Sequence, residues 1–90
     1  MKPYEEQRIV SAAIMQGGVV CSVPAPGRHS DVIREMAKAG FPIPINGAQG
    51  FLTDEGQFVH RRLALGIAEN SRQLLPGKGH GGELFSEDVW

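Results

Sequence analysis

The apolar residues near the start of this chain form two short runs separated by glycine. Residues 9–15 (IVSAAIM) and 19–23 (VVCSV) are rich in β-branched and small apolar side chains. Glycine tolerates the positive φ angles of tight hairpin turns, so Gly17 and Gly18 predict a β-hairpin here. The segment PAPG at 24–27 ends the second strand, because proline has no N–H to donate to a ladder.

A helix is predicted after this hairpin, because apolar residues recur there at helical spacing: Val32, Ile33, Met36 and Ala37. Ser30 is the expected N-cap, and Asp31 stands in the first turn, where the helix dipole favours a carboxylate. Gly40 predicts the end of the helix. Two prolines then exclude a helix from residues 41–47 (FPIPING), which we expect to be extended.

Residues 49–59 (QGFLTDEGQFV) predict a second hairpin, with a type I turn at Asp54 closed by Gly56. A second helix is expected from about Arg61 to Asn70, with an apolar stripe made by Leu63, Ala64, Ile67 and Ala68.

The C-terminal part is predicted to contain a flexible glycine-rich segment (76–82, PGKGHGG) followed by an ordered tail (83–90). The tail should pack on the domain or on a neighbouring subunit through its large apolar residues, which are Leu84, Phe85, Val89 and Trp90. The predicted order is therefore ββα, an extended segment, ββα and a tail. This order indicates a single α+β domain over residues 1–90, with helices covering one face of a mostly antiparallel sheet.

Composition narrows the functional classes. Ninety residues form one small domain, and oligomerisation is a common support at this size, so we expect a homo-oligomer. A net charge of −1 argues against non-specific nucleic-acid binding, which needs a basic excess. Cys21 is the single cysteine, which fits a reducing, cytoplasmic setting. Neither a signal peptide nor a membrane-spanning run is expected.

Two basic corners are candidates for anion binding. Arg28 and His29 precede the first predicted helix, and His60, Arg61 and Arg62 precede the second. Helix starts offer unpaired backbone N–H groups that favour anions. Both corners also fit a plainer interpretation, in which the cations lie in solvated turns and bind nothing.

No catalytic or metal-binding set is evident in the sequence. His29, His60 and His80 lie far apart and lack the spacing of metal ligands. There is no nucleophile motif or phosphate loop, and Cys21 fits a small core residue in a strand. We therefore expect a protein without enzymatic activity, metal or cofactor.

Three ordered motifs give the chain a resemblance to a group of small phage and prophage proteins: PAPGRHSDVI, AQGFLTDEGQFVHRRLALGIA and LFSEDVW. The resemblance extends from about residue 12 to residue 90. It departs from the group's pattern at His60, where an aspartate is usual, and at Leu63. The resemblance marks these positions: Arg28, His29, Gln49, Gly50, Phe51, Thr53, Phe58, Arg61, Ser86 and Glu87.

The resemblance implies a phage accessory protein that acts by binding inside an infected cell. One class similar to it consists of oligomeric viral sponges, which sequester cyclic nucleotide or cyclic ADP-ribose signals. A small nucleotide-like anion would be held by the marked residues other than Phe58, with Phe51 as a flat wall for the base. The alternatives are an inhibitor that binds a host or defence protein, and a hydrolase whose base is His29 or His60.

Overall fold

The first hairpin forms as predicted. A computed structural model describes residues 2–90, and in it β1 (Ile9–Gln16) pairs with β2 (Val19–Pro24) in antiparallel register. The two turn residues Gly17 and Gly18 have φ angles of 59° and 78°. This left-handed conformation is what a two-residue hairpin turn requires, and glycine adopts it without strain.

The first helix, α1 (His29–Lys38), begins earlier than the sequence pattern indicates. Its N-cap is Arg28, so the expectation that Ser30 is the cap was wrong. Asp31 does act in the first turn, where its carboxylate accepts the backbone N–H of Arg28 at 2.8 Å. The helix stops just before Gly40, whose φ of 92° ends the helical path as expected.

The second hairpin and helix also follow the sequence pattern. No helix or strand lies within residues 41–47; β3 (Ala48–Thr53) and β4 (Phe58–His60) then pair across a turn that contains Gly56 at φ 76°. The helix α2 (Arg61–Asn70) follows β4 directly. A short 3-10 turn, Tyr4–Glu6, precedes the whole arrangement.

The four strands form one antiparallel sheet in the order β2-β1-β3-β4, and both helices cover the same face. Ala12 and Ile14 of β1 pack against Val32 and Met36 of α1. A second cluster packs β3 and β4 against α2 and the tail, and its buried members are Ile9, Phe51, Val59, Ala64, Leu65, Ile67, Ala68, Leu84 and Val89. The fold is therefore the predicted α+β arrangement.

The opposite face of the sheet has no helix above it. Met15 and Val20 stand opposite each other on this open face, and they are 36% and 40% exposed. The strands contain no aspartate, glutamate, lysine or arginine. An antiparallel sheet usually carries polar residues on a solvated face, so this composition is unusual.

The C-terminal tail folds back onto the domain. Leu84 is fully buried, and its N–H donates to the carbonyl of Arg61 at 3.0 Å. A 3-10 turn, Ser86–Asp88, brings Trp90 against both core clusters. Phe85 differs from the prediction: it is 38% exposed, because it lies over the Arg61 guanidinium instead of in the core.

Candidate functional site

The starts of the two helices meet at one end of the sheet. His60, the last residue of β4, pairs with Gly50 of β3. The carbonyl of Gly50 in turn accepts a 2.8 Å hydrogen bond from Nε2 of His29, the first residue of α1. One strand residue therefore links the N-terminus of α1 to that of α2, although 31 positions separate His29 from His60 in the chain.

A small cavity lies between these two helix starts and the tail. Its volume is about 190 Å³, and it is lined by Arg28, His29, Ser30, Arg61, Phe85, Ser86 and Glu87. Both basic corners that the sequence singles out thus contribute to one cavity within a single chain. Three residues of the tail motif, Phe85, Ser86 and Glu87, form another wall of the cavity.

Each of the two guanidinium groups is held by a contact on one side. Arg28 donates from Nη2 to the backbone carbonyl oxygen of Trp90. Arg61 donates from Nη2 to the side-chain oxygen of Gln49, and its guanidinium lies 4.6 Å from the centre of the Phe85 ring. These contacts orient both cations before anything binds.

Each guanidinium also retains a buried nitrogen without a partner. Nη1 of Arg28 and Nε of Arg61 are inaccessible to solvent and make no hydrogen bond within residues 2–90. The ion pairs of the described residues are Lys2–Asp54, Arg34–Asp31 and Lys38–Glu35, and none involves either arginine. Two arginines and one carboxylate line the small cavity, so the charge of its lining favours an anion.

A larger cavity adjoins the first and shares Arg61 with it. Its volume is about 640 Å³, and its lining consists of Ile45, Asn46, Gly47, Gln49, His60, Arg61, Arg62 and Glu83. His60 also caps α2, because its Nδ1 accepts the N–H of Leu63 at 3.2 Å. A histidine therefore provides the N-cap of α2.

His29 is a structural member of the site. Its ring is 8% exposed and meets the Phe51 ring edge-on, with the centroids 4.9 Å apart. Burial lowers the pKa of His29 below its ordinary value of 6.5, and the charge of Arg61 lowers it further, although the Gly50 hydrogen bond and Glu87 oppose these effects. The lowered pKa favours the neutral imidazole, which carries its proton on Nε2 and donates it to the Gly50 carbonyl.

We expect the free energy of unfolding to fall as the pH is lowered through about 6.5. The folded-state pKa of His29 lies below the unfolded-state value, so the unfolded chain binds the proton first and gains stability as the pH falls. Urea unfolding at pH 7.5, 6.5 and 5.5 measures the effect. His29→Gln should show a shallower decline, whereas His80→Gln, at an exposed position, controls for loss of an imidazole. Equal declines in wild type and His29→Gln would contradict this role.

The other residues of β3 that the resemblance marks lie at different distances from the two cavities. Gln49 lines the larger cavity. Gly50 is buried, and a Cβ there would collide with the Val59 carbonyl and the Phe58 ring, which explains the need for glycine. Thr53 is 1% exposed at the far end of β3, and its hydroxyl accepts the N–H groups of residues 55 and 57 in the hairpin turn.

The expectation that Phe51 forms an exposed wall for a base was wrong. Its ring is fully buried in the core between β3 and α2. Alternation along β3 puts Phe51 on the helix-covered face, while its neighbour Gly50 faces the other way. The aromatic ring at the cavity is Phe85, from the tail.

Several residues that line the larger cavity were not predicted as site residues from the sequence. Asn46 and Gly47 lie in the irregular segment 41–47, and Glu83 directly follows the glycine-rich segment. Backbone N–H groups of Asn46 and Gly47 donate to the side chain of Gln16, at 3.1 and 3.0 Å, which anchors this segment to the end of β1. These two hydrogen bonds span 30 and 31 positions of the chain, so a local pattern cannot predict them.

Two structural features are missing from the described part of the chain. None of the helices within residues 2–90 is both long and apolar enough to cross a membrane. Over the same residues, no three histidine, cysteine, aspartate or glutamate side chains come together in a group that could hold a metal ion.

Comparison with known proteins supports the resemblance to phage proteins. No curated protein and no solved structure matches the chain. The family model of the Phage T4 y16D protein matches residues 8–90, which include both hairpins, both helices and the tail. With more than half of its length matched, the chain belongs to the Phage T4 y16D protein family.

Proposed function

We propose that this phage accessory protein binds a small phosphate-bearing ligand of the nucleotide type and sequesters it without turnover. The phosphate would occupy the small cavity between the starts of α1 and α2. In an infected cell, such binding would lower the free concentration of a cyclic nucleotide or cyclic ADP-ribose-like signal.

The observation that carries this proposal is the pair of arginines that line one small cavity. Arg28 and Arg61 line the same cavity of about 190 Å³, and each has one guanidinium nitrogen without a hydrogen bond within residues 2–90. A phosphate group carries several strong acceptor oxygens, and arginine forms short, charge-assisted hydrogen bonds with them. The helix starts at His29 and Arg61 add unpaired backbone N–H groups and favourable dipoles.

Binding without turnover is consistent with the hydrogen bonds that the two histidines already make. His29 uses Nε2 to hold the Gly50 carbonyl, and His60 uses Nδ1 to cap α2. Each imidazole already has a positioning role in the fold. A hydrolase with either histidine as its base remains the competing interpretation, and recovery of a cleaved nucleotide after incubation with stoichiometric protein would favour it.

A thermal-shift screen against cyclic di- and trinucleotides, cyclic ADP-ribose isomers and inorganic phosphate tests the proposal. A ligand at 100 times its Kd adds about 2.7 kcal/mol to the free energy of unfolding. In a domain of this size, such a gain raises Tm by about 10 °C or more. Calorimetric titration of the best compound then gives the Kd, and chromatography of the recovered compound shows whether it is intact.

Arg28→Ala and Arg61→Ala are each expected to weaken binding at least about tenfold, since a hydrogen bond to a charged group contributes about 1.5–3 kcal/mol. Lys38→Ala is the matched control, because it removes one exposed cation from the opposite end of α1. Circular dichroism must show each variant folded at the titration temperature, since both arginines also contact the tail region. Unchanged Kd values in both arginine variants, or no compound that raises Tm, would refute the proposal.

Binding to a protein is the second candidate, and the uncharged open face of the sheet favours it. Met15 and Val20 are partly exposed there, and β2 is an edge strand with an unpaired side. The partner would be a host or defence protein, or another copy of the chain in a homo-oligomer. Sedimentation velocity of the wild type and of Val20→Lys separates this candidate from the first, since only an assembly formed through the open face would dissociate.

A further inference from the structure

We infer that the larger cavity is a nucleoside subsite, so that the ligand is a nucleotide lying across Arg61 with its phosphate in the small cavity. This inference rests on the proposed function and extends it. Arg61 is the residue common to both linings. A ligand whose phosphate binds Arg61 in the small cavity can therefore place its sugar and base in the larger cavity.

The two volumes assign different parts of the ligand to the two cavities. Cavities that hold drug-sized molecules usually measure about 300–1,000 Å³. The small cavity, at about 190 Å³, is below this range and suits a single compact group such as phosphate. The larger cavity, at about 640 Å³, lies well within the range and can take a sugar with a heterocyclic base.

The lining of the larger cavity offers both hydrogen-bond donors and acceptors. The oxygen of Gln49 accepts from Arg61, which leaves its side-chain N–H groups free to donate. His60 has Nδ1 occupied by the Leu63 N–H, so its Nε2–H is a further donor. Among the described residues, the side chains of Asn46 and Glu83 make no hydrogen bond, and both supply acceptor oxygens. Mixed donors and acceptors fit the hydroxyls of a sugar and the edge of a base.

Glu83 supplies the carboxylate of the larger cavity, whose lining it shares with Arg61 and Arg62. Carboxylates are good acceptors for sugar hydroxyls and for base amino groups. The half-buried Ile45 adds an apolar surface that a flat ring can cover. The carboxylate and the apolar surface therefore fit the sugar and the base of a nucleotide.

Calorimetric titration with inorganic phosphate, ribose 5-phosphate and the four nucleoside 5′-monophosphates tests the assignment. At least one monophosphate should bind more tightly than inorganic phosphate, with ribose 5-phosphate between them. Asn46→Ala and Glu83→Ala should each weaken the binding of that monophosphate at least about fivefold, as expected for loss of one or more hydrogen bonds. Inorganic phosphate should bind Asn46→Ala unchanged and Glu83→Ala slightly more tightly, because a repelling charge has gone.

Matched controls are Asn70→Ala and Glu69→Ala, which remove the same side chains from exposed positions near the end of α2. Both should leave every Kd unchanged. Equal affinity of the wild type for phosphate and for all four monophosphates would overturn the nucleoside subsite, and so would equal losses for phosphate and nucleotide in Asn46→Ala and Glu83→Ala. In those outcomes phosphate still binds and still depends on Arg28, so the proposed function survives. Failure of every phosphate-bearing compound to bind would overturn both.

Discussion

Replacing Phe51 with alanine is expected to lower the free energy of unfolding by about 3–5 kcal/mol. The ring is fully buried and packs among β3, β4 and α2. It also meets the rings of His29 and Trp90 edge-on, at centroid distances of 4.9 and 6.3 Å. Because domains are stable by only about 5–15 kcal/mol, the variant should unfold at a much lower urea concentration, as followed by far-UV circular dichroism.

Tyr4→Ala is the control for this substitution, because it removes an aromatic side chain that is 42% exposed. Its effect should stay within about 0.5 kcal/mol. Phe51→Leu, which retains much of the apolar volume, provides a milder variant if the alanine protein does not fold. A loss below about 1 kcal/mol for Phe51→Ala would show that the ring is not a central core residue.

Replacing Trp90 with alanine is expected to lower the free energy of unfolding by about 3 kcal/mol. This value is at the lower end of the range for a large aromatic residue, because the indole is only partly buried. Trp90 packs against both core clusters, and its Nε1–H donates to the carbonyl of Gly27 at 2.7 Å. Its own carbonyl accepts from Arg28. The tail therefore joins the two core clusters. Urea unfolding monitored by far-UV circular dichroism should detect the loss of this connection in the variant.

Trp90→Phe separates packing from hydrogen bonding, since it keeps an aromatic ring but loses the indole N–H. The expected cost is about 1 kcal/mol for the lost bond. Phe85→Ala is the matched control within the tail, because that ring is 38% exposed and lies over Arg61. If Trp90→Ala lowers the free energy of unfolding by no more than Phe85→Ala does, the tail does not join the two core clusters.

The same residues stabilise the tail and shape the small cavity. Arg28 holds the backbone of Trp90, and Arg61 supports Phe85. Occupation of the cavity by an anion should thus stabilise the tail, because the bound anion would hold Arg28 and Arg61 in place while their present contacts remain. Binding and folding are for this reason measured separately in every arginine variant.

Local sequence determined the elements of this fold. Paired glycines at 17 and 18 predicted the first hairpin, and the apolar spacing from Val32 to Ala37 predicted α1. Turn chemistry, proline positions and helical periodicity act over a few residues, so they can be recognised without knowing the tertiary structure. Boundaries were less well determined: α1 begins at His29, because the Asp31 carboxylate accepts the Arg28 N–H and so favours an earlier start.

Only the tertiary structure decided where the marked residues lie and which atoms they contact. The sequence identified Arg28 and Arg61 as basic helix starts, but their convergence depends on the pairing of β3 with β4 and on the bond from His29 to Gly50. Phe51 was assigned to a ligand wall because its character is aromatic, whereas strand alternation turned it into the core. The burial and the partners of these residues depend on contacts that span 21 positions for His29 with Gly50 and 62 for Arg28 with Trp90. Such contacts arise only when the packed chain brings distant segments together, so local pattern cannot specify them.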